Sequence, residues 1–336
     1  MLNDYNYSAH PSVINAVMES STRRFVGYGA DEECTQAADM IRGLIGKADA
    51  DVHFMVGGTQ TNLTAIGAFL RPHEAVIAPG SAHIYMHETG AIEAVGHKIL
   101  TFPTSDGKAR ADDVRTIVEA HSDEHMVKPG LLFISQTTEL GTVYTFAELI
   151  ALREVCDRYG ILLYIDGARL GYALTSEACD YTISDLSGIA DAFYIGGTKN
   201  GLLCGEALVI CNRDLAPEFR YLMKQRGGLL AKGFLLGLQF RAILNDGLYF
   251  ELARHANKMA ALLGAGLAQA GVPMLADTVS NQVFPCVSDA SLSCLKEKAL
   301  FETWARKGVN GTPIRFVTTW QTTEEEVCAV LRCIEK

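Results

Sequence analysis

No uninterrupted apolar stretch in this 336-residue chain approaches the ~20 residues a membrane-spanning helix needs. Runs of Lys or Arg are equally lacking, and 29 basic against 39 acidic residues give a net charge of −10. That balance argues against a nucleic-acid binder, which would carry a basic face. Nor is there a Cys-x-x-Cys pair, although nine cysteines are present: Cys34, Cys156, Cys179, Cys204, Cys211, Cys286, Cys294, Cys328 and Cys333. Most lie in apolar contexts, so they read as reduced, buried thiols and not as a zinc site or a disulfide framework. The opening Met1-Leu2-Asn3-Asp4-Tyr5-Asn6-Tyr7 lacks the basic region and apolar core of a secretory signal, and a cytoplasmic location is expected. No Gly-Lys-Ser/Thr loop and no G-x-G-x-x-G occurs, so the common nucleotide and dinucleotide cradles lose support. Internal repeats and low-complexity segments are absent as well.

What the chain does contain is material for a large core: 49% hydrophobic and only 20% charged residues. From about residue 50 to 212, short apolar runs alternate with helical patterns. The runs are 52–56, 75–78, 98–102, 131–135, 161–165, 192–195 and 207–210. They are near-continuously apolar, as strands covered on both faces are. Between them, 59–70, 111–121 and 146–159 carry apolar residues at helical spacing, the last closing at Gly160, a natural C′ position. Strand–helix–strand repetition predicts an α/β fold with a mostly parallel seven-stranded sheet. Beyond about 215 the strand signal thins, long helices are expected over 229–244 and 249–270, and a more polar α+β tail follows. The expected division is a large domain over 1–235 and a small C-terminal α+β domain over 236–336.

Ligands of open α/β sheets gather at the carboxyl ends of the strands, so the residues that follow each strand carry the argument. After 52–56 comes Gly57-Gly58-Thr59-Gln60-Thr61-Asn62, a small-residue turn whose free N–H groups at a helix start suit a phosphate. After 161–165 stand Asp166-Gly167-Ala168-Arg169, and after 192–195 stand Gly196-Gly197-Thr198-Lys199-Asn200-Gly201. Each alone has a bland reading: a common turn, an internal ion pair, an exposed turn lysine. Together they match the needs of one cofactor. Pyridoxal phosphate (PLP) requires a lysine for its aldehyde, a carboxylate for its pyridine nitrogen and an anchor for its phosphate.

With these segments in view the chain resembles the threonine aldolase/β-eliminating lyase family of fold-type I PLP enzymes. The resemblance also includes Ala82-His83-Ile84-Tyr85-Met86-His87-Glu88-Thr89-Gly90-Ala91 and Pro313-Ile314-Arg315-Phe316-Val317-Thr318, in matching order over essentially the whole chain. It implies that Lys199 holds the cofactor aldehyde, Asp166 pairs with the ring nitrogen and His83 stacks on the ring. Gly58 and Thr59 would bind the phosphate. Arg169 and Arg315 would grip the substrate carboxylate, with Arg169 also near the cofactor and Ser8 near the substrate. His87 stands where relatives carry an aromatic or apolar residue.

Two departures stand out. Relatives follow the fourth strand with a His-containing segment; here it reads Gln136-Thr137-Thr138-Glu139-Leu140-Gly141. This leaves His83, or a water held by Glu139, as the expected base. Lys232, in Gly227-Gly228-Leu229-Leu230-Ala231-Lys232, replaces an Arg of relatives. The implied activity is a low-specificity L-threonine aldolase, cleaving L-threonine or L-allo-threonine to glycine and acetaldehyde. Alternatives are another β-eliminating lyase or an aminotransferase on the same fold, and, more remotely, a non-catalytic phosphometabolite-binding protein. A homodimer or homotetramer is expected. In it Lys232 reaches a neighbour's cofactor phosphate, and the all-round apolar segment 234–240 lies at the interface. No metal, nucleic acid or membrane partner is expected.

Overall fold

The computed structural model describes residues 1–334. Seven strands form the main sheet: β1 (Asp51–Met55), β2 (Glu74–Pro79), β3 (Ile99–Phe102), β4 (Lys128–Ser135), β5 (Leu162–Asp166), β6 (Ala192–Gly196) and β7 (Glu206–Ile210). Their spatial order is β1-β7-β6-β5-β4-β2-β3. β7 alone runs against its neighbours, and all other adjacent pairs are parallel.

The continuous apolarity of these strands has a direct cause. Along β4, Leu131 and Phe133 point into one core while Leu132 and Ile134 point into the other. All four are fully buried, and each such side chain is worth about 1.5–3 kcal/mol of apolar transfer. Helices α1 (Pro11–Glu19) and α2 (Glu32–Ile45) cover one face and α3 (Gly58–Phe69) the other. The helix Phe146–Tyr159 falls where its periodicity places it. It starts on a capping box, in which Thr145 Oγ1 accepts the Glu148 N–H and Glu148 accepts the Thr145 N–H, and it stops at Gly160 in the left-handed region (φ 63°).

Two expectations are corrected. The helix expected over 229–244 begins only at Phe234 and ends at Leu244. Residues before it are drawn into a turn, where the Ala231 carbonyl accepts the Tyr28 N–H at 3.2 Å. The all-round apolarity of 234–240 is satisfied within the chain, because this helix lies in the groove between α1 and α2. The approach to α2 is close enough that a Cβ on Gly237 would stand 2.5 Å from the Cys34 nitrogen.

The second sheet has β11 (Thr312–Val317) at its centre, paired antiparallel with β8 (Gln282–Val283), β9 (Cys286–Val287) and β10 (Glu302–Thr303). The 22-residue helix Leu248–Gln269 runs through both bodies. Tyr249 and Leu252 belong to the core of the large sheet, whereas Met259, Ala260, Leu263 and Leu267 belong to that of the small one. The reading of all nine cysteines as reduced thiols is also corrected. Cys294, on the helix Asp289–Lys298, and Cys333, on the helix Glu324–Ile334, form a disulfide across a Cα–Cα distance of 5.5 Å. The two lie 39 positions apart in the sequence, and their spacing carries no sign of the pairing. Cys328 is exposed. No helix among the described residues is long and apolar enough to cross a membrane.

Candidate active site

A cavity of about 170 Å³ opens at the carboxyl ends of β1, β4, β5 and β6, lined by Gly58, Thr59, His83, Glu139, Asp166, Arg169 and Lys199 among others. Its floor is Asp166, the last residue of β5, 4% exposed. Oδ1 accepts the Ala168 N–H at 2.9 Å and the Tyr194 hydroxyl at 2.5 Å; Oδ2 accepts the Asn62 amide at 3.0 Å. Tyr194 is a committed donor, since burial and then the Asp166 charge push its phenol well above the ordinary range. These three donors fix the plane of the Asp166 carboxyl group.

Lys199 follows β6 through a tight turn, and its Tyr172 partner fixes the backbone by donating to the Lys199 carbonyl at 2.5 Å. Burial, then the Arg169 charge, lowers the amine pKa against the opposing pull of Asp4, Asp166 and Glu206. The glycines around it serve packing. A Cβ on Gly196 would stand 2.5 Å from the Ala168 carbonyl oxygen, and one on Gly197 2.8 Å from that of Gly205. On the opposite side, α3 opens at Gly58 and Thr59, so its first N–H groups face the cavity at the positive end of a 12-residue helix.

His83 begins the short helix α4 (His83–Met86). Its Nδ1 lies 2.8 Å from Glu88 Oε1, and Glu88 also accepts the Asn62 amide at 2.8 Å. The Glu88 carboxylate on Nδ1 fixes the orientation of the ring and turns Nε2 away from that contact. Glu139 takes a structural position beside it: Oε1 accepts the His83 N–H at 2.9 Å and the Ser135 hydroxyl at 2.7 Å. Burial raises the Glu139 pKa against these donors.

Arg169 lies in the lining, but its guanidinium is already engaged. Nε and Nη2 bind Asp4 Oδ2 and Oδ1 at 2.7 and 3.0 Å, and Asn281 donates to the same carboxylate at 3.0 Å. Arg315, on β11, pairs with Glu302 and stacks 4.9 Å above Trp304; it is outside the lining yet near enough for Arg169 to oppose its charge. His87 is exposed, its ring centroid 5.4 Å from that of His83. Ser8 is exposed in the N-terminal segment, and Lys232 is exposed ahead of the helix Phe234–Leu244; neither lines this chain's cavity.

Sequence reasoning missed Asn62, Glu88, Tyr194, Asp4 and Glu206. For Glu206 a signal existed. Only residues 197–205 separate β6 from β7, too few for the crossover of a dozen or more that parallel strands need, so β7 had to reverse and start at the site.

The donor set fits a flat aromatic aldehyde phosphate. A carboxylate fixed by three donors, a desolvated amine and a helix start converge on one cavity, and a Cβ on Gly58 would meet the Tyr194 hydroxyl at 3.0 Å. Comparison with known proteins agrees with that class. The β-eliminating lyase family matches residues 14–290, and the chain belongs to this family of PLP-dependent lyases. It is 33% identical to a low specificity L-threonine aldolase of Pseudomonas aeruginosa, covering 98% of this chain and 95% of that one. A second such aldolase, from a Pseudomonas species, is 34% identical over 96% and 93%. A Leishmania major threonine aldolase structure superposes with a TM-score of 0.98 at 44% identity, covering 99% and 98% of the two chains. An aspartate aminotransferase of Thermus thermophilus, at 15% identity and a TM-score of 0.73, shares the fold.

Proposed function

We propose that this protein is a PLP-dependent threonine aldolase that cleaves L-threonine and L-allo-threonine to glycine and acetaldehyde. The observation that carries the reading is the convergence of Lys199, Asp166 and the α3 N-terminus on one cavity. Lys199 would hold the cofactor aldehyde, Gly58 and Thr59 would hold its phosphate, and Asp166 would stabilise a proton on its pyridine nitrogen. When bound, the cofactor supplies an electron sink for the pair released at the substrate Cα.

The remaining steps belong to the chain's own side chains. Arg169, with Arg315 behind it, sets the electrostatic pull on the substrate carboxylate, which orients the Cα–Cβ bond. His83 covers the cofactor ring, and its Nε2 takes the proton from the β-hydroxyl, directly or through one water. Glu88 stabilises the charge that His83 then bears. Glu139 anchors the backbone that carries His83, and through the same oxygen, which also accepts the Ser135 hydroxyl, ties it to the end of β4.

The same reading includes a homodimer or dimer of dimers, in which the exposed Lys232 meets the neighbour's cofactor phosphate. A cytoplasmic setting is part of the same proposal. The test is reconstitution with PLP, borohydride trapping and peptide mapping, alongside product analysis with L-threonine and L-allo-threonine. An adduct on Lys199 and release of acetaldehyde are expected. An adduct on another lysine, or conversion of the cofactor to its amine form by these substrates, would overturn the reading.

A further inference from the structure

The role of Glu206 is unaccounted for by the site so far described. It is the first residue of the reversed strand β7 and pairs in register with Gly196, which brings it to the cofactor end of the sheet. It is 4% exposed, and it lines the same cavity as Lys199 and Asp166. The Gly197 N–H donates to its Oε2 at 3.1 Å, which aims the carboxyl along the turn that presents Lys199. A buried carboxyl without an ion-pair partner is costly as an anion. Lys199 is the cation that acts on it.

We propose that Glu206 and Lys199 share one proton. Glu206 takes up the proton that Lys199 must lose before its amine can attack a carbonyl, and returns it when the amine is expelled. The transfer breaks an N–H bond at Nζ and forms an O–H bond at the Glu206 carboxyl, through one intervening water, with no change of oxidation state. Glu206 is thus a positioning residue for a proton.

The electrostatics of both groups support this. Burial pushes Glu206 up to about 8 against the Thr198 side chain, then Lys199 and the Gly197 N–H, with Asp166 adding to the rise. Burial and Arg169 lower Lys199, so the two proton affinities approach each other. The other titratable groups facing the pair are Asp4 and His87 on the Lys199 side and the Cys204 thiol and the phenols of Tyr164, Tyr194 and Tyr249 on the Glu206 side. The three phenols are held above their ordinary range, chiefly by burial, and stay neutral throughout the relevant pH window.

The inference rests on the reading of Lys199 as the reactive amine, and its test leaves the cofactor out. The full chain, stripped of PLP, is pulsed with acetic anhydride across a pH series, and Lys199 labelling is quantified by mass spectrometry, with Lys232 as the exposed reference. The wild type should titrate in two overlapping steps that belong to the pair. E206Q keeps an acceptor for Gly197 but cannot ionise, and should titrate in one step about one pH unit lower, a tenfold change in proton affinity. Lys232 should not move, and E206D should restore the two steps. Reciprocity provides a second measurement. In K199M, the infrared band of the protonated Glu206 carboxyl should persist to higher pH, by a shift of equal size. An unchanged Lys199 profile in E206Q, or an unchanged carboxyl band in K199M, overturns the proposal. A cofactor adduct on a different lysine would instead overturn the functional reading and leave the titration result standing.

Discussion

Removal of the Asp4 carboxylate tests how the N-terminal segment supports the site. Asp4 is fully buried, and the Arg169 side chain is only 10% exposed, so the guanidinium stays largely desolvated if its partner disappears. Both carboxylate oxygens are bound by Arg169, and Asn281 adds a third donor. Asp4→Ala therefore leaves a buried cation without its counter-charge, which costs about 3–5 kcal/mol. The pair as a whole is worth far less, because its desolvation offsets most of its attraction. The double variant Asp4→Ala/Arg169→Met should recover most of that loss. Urea unfolding followed by the fluorescence of Trp304 and Trp320 measures both. The pH dependence has a definite sign. Burial raises the Asp4 pKa, but Arg169 and Lys199 lower it further, so its net shift is downward. Its contribution is thus fully present above about pH 4 and is lost as the pH falls through the lowered folded value. Asp4→Ala should flatten the acid side of the stability profile. A single variant within 1 kcal/mol of wild type, or a double variant as unstable as the sum of the singles, would refute the argument.

Other expectations follow from the same geometry. Asp166→Asn keeps the contact with Asn62 or Tyr194 but cannot hold a pyridinium proton; PLP should still bind, while kcat falls about a hundredfold or more. Full turnover in that variant would remove the electron-sink role from Asp166. Gly237→Ala drives a Cβ to 2.5 Å from the backbone of α2, and should destabilise by about 3 kcal/mol in thermal unfolding, the upper end of overpacking costs. Lys232→Ala should weaken PLP affinity about tenfold in a spectral titration, as expected for losing a charged contact to phosphate. An unchanged affinity would separate Lys232 from the neighbouring site.

The parts of this structure that can be read from sequence are those fixed by local chemistry. The strands declare themselves because both faces are covered, and the helix Phe146–Tyr159 does so because its caps are local hydrogen bonds. Asp166 and Lys199 stand out because parallel strands place their following residues at one edge. What escapes is set by distant partners. Asp4 and Arg169 lie 165 positions apart, and nothing in either segment specifies the other. The apolar helix Phe234–Leu244 looks like an interface until α1 and α2 are seen to enclose it. Glu88 supports His83 from five residues away, but the turn that joins them follows no regular period.

The helix Leu248–Gln269 has a mechanical consequence. At 1.5 Å per residue it is a shaft of about 33 Å, and its two halves are keyed into different hydrophobic bodies. Between two lobes joined by a loose tether, rotation costs little. Between lobes that grip one rigid rod, any relative displacement must slide interlocked side chains past each other in one grip or the other. Arg315 rides on the distal lobe and Arg169 on the proximal one, so their separation is governed by that rod. The shaft thus admits small shear displacements and resists wide opening, which gives the two cations a nearly fixed spacing, as between the jaws of a clamped gauge.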